Sequence, residues 1–202
     1  MLTRDVMTRD VVTVRRDTSV REAARVLTGH GFTALPVVDE RDDLLGIVTE
    51  ADLLAGRLRH DARSPRLAAE LAAGPPSPAV GEVMTTDVVT ALPWTDAADL
   101  VETMRARGIR SVPVVEPGRG LVGIVSRRDV LGAVGRPDEV IEHAVRRGLR
   151  NYAGRDRWTV SVHDGVVTLA DDTEDATERH VATVIAQNVP GVVDVRIVPA
   201  RG

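Results

Sequence analysis

The feature that most constrains this chain is an internal repeat at a constant offset of 77 residues, which sets Val83 against Val6. Val6-Met7-Thr8-Arg9-Asp10-Val11-Val12-Thr13 matches Val83-Met84-Thr85-Thr86-Asp87-Val88-Val89-Thr90. Gly31-Phe32-Thr33-Ala34-Leu35-Pro36-Val37-Val38 matches Gly108-Ile109-Arg110-Ser111-Val112-Pro113-Val114-Val115. Gly46-Ile47-Val48-Thr49-Glu50-Ala51-Asp52 then matches Gly123-Ile124-Val125-Ser126-Arg127-Arg128-Asp129. No gap separates the blocks, so the copies share a whole unit of structure. Two copies of about 55 residues predict a paired module with approximate two-fold symmetry, since a solenoid is a longer array.

Within each copy the pattern predicts strand, helix, strand, strand, helix. Val20, Ala23, Ala24 and Leu27 follow the i, i+3, i+4, i+7 spacing of one helical face, with Ser19 and Glu22 at capping-box distance. Ala97, Leu100, Val101 and Met104 are the counterpart stripe. Residues 35–38 and 44–48 are short runs rich in Val and Leu, and 39–43 between them reads as a hairpin loop, as does 116–120 in the second copy. Pro36 and Pro113 lack an N–H and belong at a strand's first residue or on an unpaired edge.

Residues 68–73 can extend a helix that the Gly- and Pro-rich stretch 74–78 ends. Pro137 is suited to the first position of a further helix. Beyond it the order changes. Val140, Ile141, Ala144, Val145 and Leu149 form a helical stripe, and Trp158, Val160 and Val162 alternate as a half-buried strand. Asp164-Gly165 turns the chain into a strand over 166–170. A helix near 176–187 carries Val181, Val184 and Ile185, and Pro190-Gly191 leads to a last strand over 192–198. The predicted domains are a first repeat (1–60), a helix and linker (61–79), a second repeat (80–134) and a small helix-strand-strand-helix-strand domain (135–202). The fold class is therefore α/β (α+β): two βαββα repeats packed as a pseudo-two-fold pair, plus a small αββαβ domain.

Composition narrows the function classes. With one Phe, one Tyr and two Trp, the core must be made of Val, Leu, Ile and Ala. The absence of Cys removes disulfides, thiolate nucleophiles and Cys-based metal sites. A formal charge of −4 with interspersed signs offers no basic stripe for duplex nucleic acid. The N-terminal residues lack the apolar core of an export signal and no run of about 18 apolar residues occurs, so a cytoplasmic protein is expected. The five histidines show no metal-ligand spacing, and no nucleophile has an evident base, which argues against an enzyme.

Two equivalent motifs carry the candidate chemistry, Thr49-Glu50-Ala51-Asp52 and Ser126-Arg127-Arg128-Asp129, each leaving a buried strand and opening a helix. Free amides and the helix dipole there favour an anion, and Asp three residues on can accept from both hydroxyls of a ribose. The same spacing is also that of a plain capping box, and duplicated folds duplicate their caps. The acidic run at Asp171, Asp172, Glu174 and Asp175 reads as a solvated loop with helix-start charges rather than a cation site.

The three repeated blocks resemble a tandem CBS-domain pair (Bateman module), a regulatory module whose members bind AMP, ADP, ATP or S-adenosylmethionine and often associate as homodimers. The resemblance covers about residues 1–133. Carried across by position, it implies one cleft from Thr13, Phe32, Thr33 and Ala34 with Ile124, Ser126, Arg128 and Asp129. Thr13 and residues 32–34 would meet the base, Asp129 the ribose, and Ser126 with Arg128 the phosphate. A second cleft would combine Thr90, Ile109, Arg110 and Ser111 with Ile47, Thr49, Ala51 and Asp52. The first is preferred because Arg127 and Arg128 supply positive charge where Glu50 and Ala51 do not. Residues 138–199 resemble a BON domain, a type associated with phospholipid or envelope binding, although Asp171 stands where that family has Gly. The expectation is a non-catalytic sensor that binds an adenine nucleotide between its repeats and passes the signal to the C-terminal domain. The alternative is a ligand-free dimerisation protein whose C-terminal domain binds lipid or a protein partner.

Overall fold

The computed structural model describes residues 1–55, 78–153, 157–170 and 175–199. The expected helix at 68–73, the linker at 74–77 and the acidic residues Asp171, Asp172 and Glu174 lie outside them. The chain forms two compact units that do not follow the repeats: Arg9–Leu92 with Gly108–Ile124, and Met1–Thr8 with Pro93–Arg107 and Val125–Gly202.

In the first unit, α1 (Val20–His30) starts where Ser19 Oγ accepts from the Glu22 amide at 3.2 Å and ends at Gly31, whose φ of 67° is the left-handed turn glycine adopts freely. Strands β1 (Ala34–Val38) and β2 (Leu44–Thr49) form an antiparallel hairpin. Asp39 Oδ1 staples its loop by accepting from the amides of Arg41 and Asp43 at 2.8 and 2.9 Å. Those two bonds, that from Asp43 first, hold the Asp39 carboxyl below the usual carboxylate range. Short α2 (Glu50–Leu54) and α3 (Val80–Val83) follow. Val14, Val20, Ala23, Leu27, Leu35, Val37, Val48, Leu53 and Val80 make the core.

The predicted first strand of each repeat is a single parallel bridge, Val14 to Val37 in one copy and Ala91 to Val114 in the other. Proline is the reason. Val14 donates to Pro36 O and accepts from the Val38 amide, but one step further the ladder would need an N–H that Pro36 lacks. Pro113 ends the equivalent ladder at Ala91 in the same way. The prolines therefore sit neither at a strand's first residue nor on an unpaired edge, but at the third position of β1 and of β3 (Ser111–Glu116), where their carbonyls accept from the bridge and their missing N–H ends it. Strand β3 pairs with β4 (Gly120–Ser126) in a second two-stranded sheet.

One connection exchanges parts between the repeats. The Ile47 amide donates to Thr85 O and the Thr85 amide donates to Ile47 O, both at 2.9 Å, so the second copy's Met-Thr segment lies along the first copy's β2. Gly46 permits the approach: a Cβ there would stand 2.8 Å from Met84 Sδ and from Thr85 O.

In the second unit, Thr3 is buried and gives both its amide and its hydroxyl to Thr95 O, at 2.8 and 2.9 Å. Helix α4 (Ala97–Ala106) buries Ala97, Leu100 and Met104, while Val101, predicted on the same stripe, is 39% exposed. Helix α5 (Arg127–Val134) leads to α6 (Asp138–Ala153), in which Ile141, Val145 and Leu149 are buried and Val140 is exposed. Pro137 precedes α6 instead of opening it, its carbonyl accepting from the Ile141 amide.

Strands β5 (Thr159–His163), β6 (Val166–Ala170) and β7 (Asp194–Val198) form one sheet in that order, β5 antiparallel and β7 parallel to β6. Helix α7 (Ala176–Gln187) joins β6 to β7. The domain thus has the predicted element order, with the last strand shorter than 192–198. Its core joins Val160, Val167 and Leu169 to Ile141, Val145 and Leu149 and to Ala182 and Ala186. Val184, expected on the buried stripe, is 40% exposed, because α7 approaches through alanines. A Cβ on Gly148 would fall 2.9 Å from Ile185 Cγ2, so α6 and α7 meet where one of them has no side chain.

The Asp164-Gly165 turn has φ of 48° and 74° and is pinned by Asp138, whose carboxylate accepts from both turn amides at 2.8 and 2.9 Å. Gly165→Ala adds a Cβ 2.7 Å from Gly191 O at a left-handed position and destabilises the fold by about 1–2 kcal/mol or more. Gly29→Ala, inside α1 with open space around it, stabilises by about 1 kcal/mol. Thermal midpoints of the two variants, read by circular dichroism, shift in opposite directions.

Candidate ligand cleft

The first unit contains a cavity of about 440 Å³, within the range of roughly 300–1,000 Å³ that suits small-molecule sites. It lies at the strap that Thr85 contributes to β2. One wall is Ile47, Thr49, Glu50 and Ala51, from the end of β2 and the first turn of α2. Beside them are Thr85 of the strap and Asp87, Val88 and Val89, the segment that follows it. Thr33 and Ala34 from one repeat and Gly108, Ile109, Arg110 and Ser111 from the other complete it, with Thr33 Oγ1 and Ser111 Oγ 3.3 Å apart.

The structure thus gathers Ile47, Thr49, Ala51, Ile109, Arg110 and Ser111, predicted together for the second cleft. It leaves Thr90 and Asp52 out of the lining. Thr33 and Ala34, predicted for the first cleft, line this one. Asp87, Val88 and Val89 were not singled out in the sequence, because only their place after the strap brings them here. Their repeated Val-Val pattern reads equally well as core. The backbone N–H and C=O groups of Val88 and Val89 make no hydrogen bond with the described residues, so an adjacent donor and acceptor stand free at the wall. Adenine presents a matching donor and acceptor along its Watson–Crick edge.

The other predicted residues are described in their own surroundings. Phe32 stacks on His30, centroids 5.0 Å apart and planes 16° from parallel. Thr13 is half-buried. Ser126, Arg128 and Asp129 open α5 in the second unit. Arg127, one of the two cations that favoured the first cleft, donates from Nη2 to Met104 O at 2.9 Å and so serves the end of α4.

Both Thr/Ser-x-x-Asp motifs are complete capping boxes. Asp52 Oδ2 accepts from the Thr49 amide at 2.8 Å and from its hydroxyl at 2.7 Å, and the Asp52 amide donates back to Thr49 Oγ1 at 3.4 Å. Ser126 and Asp129 repeat the arrangement at 2.7, 2.6 and 3.3 Å. The hydroxyl protons that the sequence offered to a phosphate are therefore directed at a carboxylate. Each cap uses one aspartate oxygen, Oδ2, and leaves Oδ1 without a partner among the described residues. Among those residues no cluster of His, Asp or Glu could hold a metal ion, and no helix is long and apolar enough to cross a membrane.

Two sheet hairpins related by a repeat, a strap exchanged from one copy to the other and a cavity at the strap define a paired α/β module. The chain belongs to the CBS-domain family: residues 4–58 and 80–136 each match the CBS domain, and together they make a tandem CBS pair of mixed α/β fold. CBS pairs are, as a class, regulatory modules. The chain is 32% identical over 127 residues to inosine-5′-monophosphate dehydrogenase of Methanocaldococcus jannaschii, a match covering 63% of this chain but only 22% of that enzyme. Among solved structures it is similar to the CBS domain pair of protein MJ0100 in complex with 5′-methylthioadenosine and S-adenosylmethionine, with a TM-score of 0.53 and 29% identity. That match covers 65% of this chain and 93% of the other. It is also similar to CBSX2 in complex with AMP, with a TM-score of 0.53, 26% identity, and 65% and 94% covered.

Ser126→Ala removes a helix cap and its reciprocal bond, and lowers stability by about 1 kcal/mol in the absence of any ligand. Urea denaturation checks the loss, and Ser126→Thr restores most of it.

Proposed function

We propose that the protein is a non-catalytic, cytoplasmic regulator that binds an adenosine-containing ligand in the cleft at Thr85–Val89, and that occupancy is passed to the C-terminal domain or to a partner. The observation that carries this reading is the unpaired main chain of Val88 and Val89 in the wall of a ligand-sized cleft. The CBS pairs of similar fold that hold AMP, S-adenosylmethionine and 5′-methylthioadenosine support it. The cleft is preferred over its counterpart because it is complete within one unit and because Arg127 is engaged at the end of α4. A ligand acts as a signal only through its difference in affinity for two states of the pair. We assign residues 138–199 to the BON type on their helix-strand-strand-helix-strand order and on the motifs around Asp164-Gly165 and Gly191. The face of its sheet turned away from the core carries Thr159, Ser161, His163, Thr168, Asp194 and Arg196 together with Val166, Ala170 and Val198, a mixed surface on which lipid or protein can be tested.

Calorimetric titration of the whole chain with AMP, ADP, ATP, S-adenosylmethionine and 5′-methylthioadenosine tests the proposal. At least one binds, and Ile109→Trp, which fills the cleft, weakens that binding at least tenfold. No heat with any of the five at millimolar concentration overturns it.

A second reading, assembly through the CBS pair, is favoured by Leu131 and Val134, neighbours on α5 that are 69% and 64% exposed. The protein is then a homodimer by light scattering whether or not ligand is present, and Leu131→Glu with Val134→Glu yields monomers.

A further inference from the structure

We propose that this cleft selects an adenosine whose 5′ substituent is uncharged or cationic, a thioether or a sulfonium, over one that carries phosphate. The inference rests on the reading of the cleft as an adenosine site and concerns what the rest of the ligand meets there. Three ionisable side chains line the cavity, the carboxylates Glu50 and Asp87 and the single guanidinium Arg110. Asp52, outside the lining, is engaged in the cap of α2.

A helix start is ordinarily where a phosphate finds free amides. Here those donors are engaged. The Glu50 amide donates to Thr33 O at 3.2 Å, the Asp52 amide to Thr49 Oγ1 at 3.4 Å, and the Thr49 hydroxyl to Asp52 Oδ2 at 2.7 Å. Of the first turn only the Ala51 amide is left for an anion, in a cavity lined by two carboxylates and one cation. Glu50 and Ala51 are matched in the other copy by Arg127 and Arg128, while Asp87 is matched by Asp10, so the acid at the helix start is particular to this cleft and is not imposed by the fold.

A phosphate brings like charge to Glu50 and Asp87, and each further phosphate adds to the repulsion. A methylthio group brings none. The amino-acid tail of S-adenosylmethionine brings a sulfonium and an ammonium to the carboxylates and a carboxylate to Arg110, which accepts planar carboxylates through paired N–H donors. The charge pattern of the wall, two carboxylates and one guanidinium, is the complement of a zwitterionic tail with one added positive charge.

The test titrates the whole chain, in metal-free buffer, with S-adenosylmethionine, 5′-methylthioadenosine, AMP and ATP at about 0.05 M and about 0.5 M salt. The two sulfur compounds bind at least tenfold more tightly than AMP, ATP binds more weakly still, and high salt narrows the gap. Glu50→Gln with Asp87→Asn, at exposed positions outside the core, brings AMP to within about threefold of 5′-methylthioadenosine and weakens S-adenosylmethionine. AMP or ATP binding as tightly as the sulfur compounds overturns the selectivity while the adenosine site stands. An unchanged ranking in the double variant, with its thermal midpoint retained, also overturns it. No binding by any of the four overturns the site reading and the selectivity together.

Discussion

Two hydrogen bonds between Ile47 and Thr85 are the interaction on which the first unit depends. They fasten a segment of the second repeat to a strand of the first, and they form only because residue 46 has no side chain to keep Met84 and the Thr85 carbonyl away. From that fastening point the chain runs on as Thr85, Asp87, Val88 and Val89, which become the wall of the cleft. The repeat thus creates a cavity by exchanging a strap, and residues of both copies line it.

Proline governs the other limit of the same architecture. Each repeat's first extended segment is anchored to its hairpin by one pair of backbone bonds, and the missing N–H of Pro36 or Pro113 stops the ladder there. The segment before Ala91 is therefore not consumed by a sheet. Among the described residues its Val88 and Val89 backbone groups stay unpaired beside a cavity, which would be costly in a buried strand. The cap of α2 works in the opposite sense by directing amides and a hydroxyl inward to the protein's own groups. The cleft combines the unpaired main chain of Val88 and Val89 with a helix start whose Glu50, Asp52 and Thr49 donors are engaged within the protein.

The C-terminal domain solves a separate problem with the same small-residue chemistry. Gly148, Ala182 and Ala186 let α6 and α7 pack closely over one face of the sheet, and Asp138 ties the start of α6 to the β5–β6 turn. With so few aromatic residues, close approach between helices and a Val- and Leu-lined sheet has to provide the core.

Much was legible in the sequence. The constant offset of 77 residues identified the paired repeat, periodicity located α1, α4, α6 and α7, and Asp164-Gly165 located a hairpin, because those signals are local and carried by side-chain chemistry. Helix faces were legible less finely: Val101, Val140 and Val184 fit the stripes yet remain exposed, since the packing partner decides which edge of a stripe is covered. The motif Thr49-x-x-Asp52 allowed both a cap and a phosphate site, and only the three-dimensional hydrogen bonds show a complete cap. The lining of the cleft by Asp87, Val88 and Val89 could not be read at all. It depends on a backbone pairing between residues 38 positions apart, Ile47 and Thr85, whose side chains do not encode it. Local sequence determined the elements and their repetition; long-range backbone pairing, which any residue with an N–H and a C=O can make, decided which of them meet around the cavity.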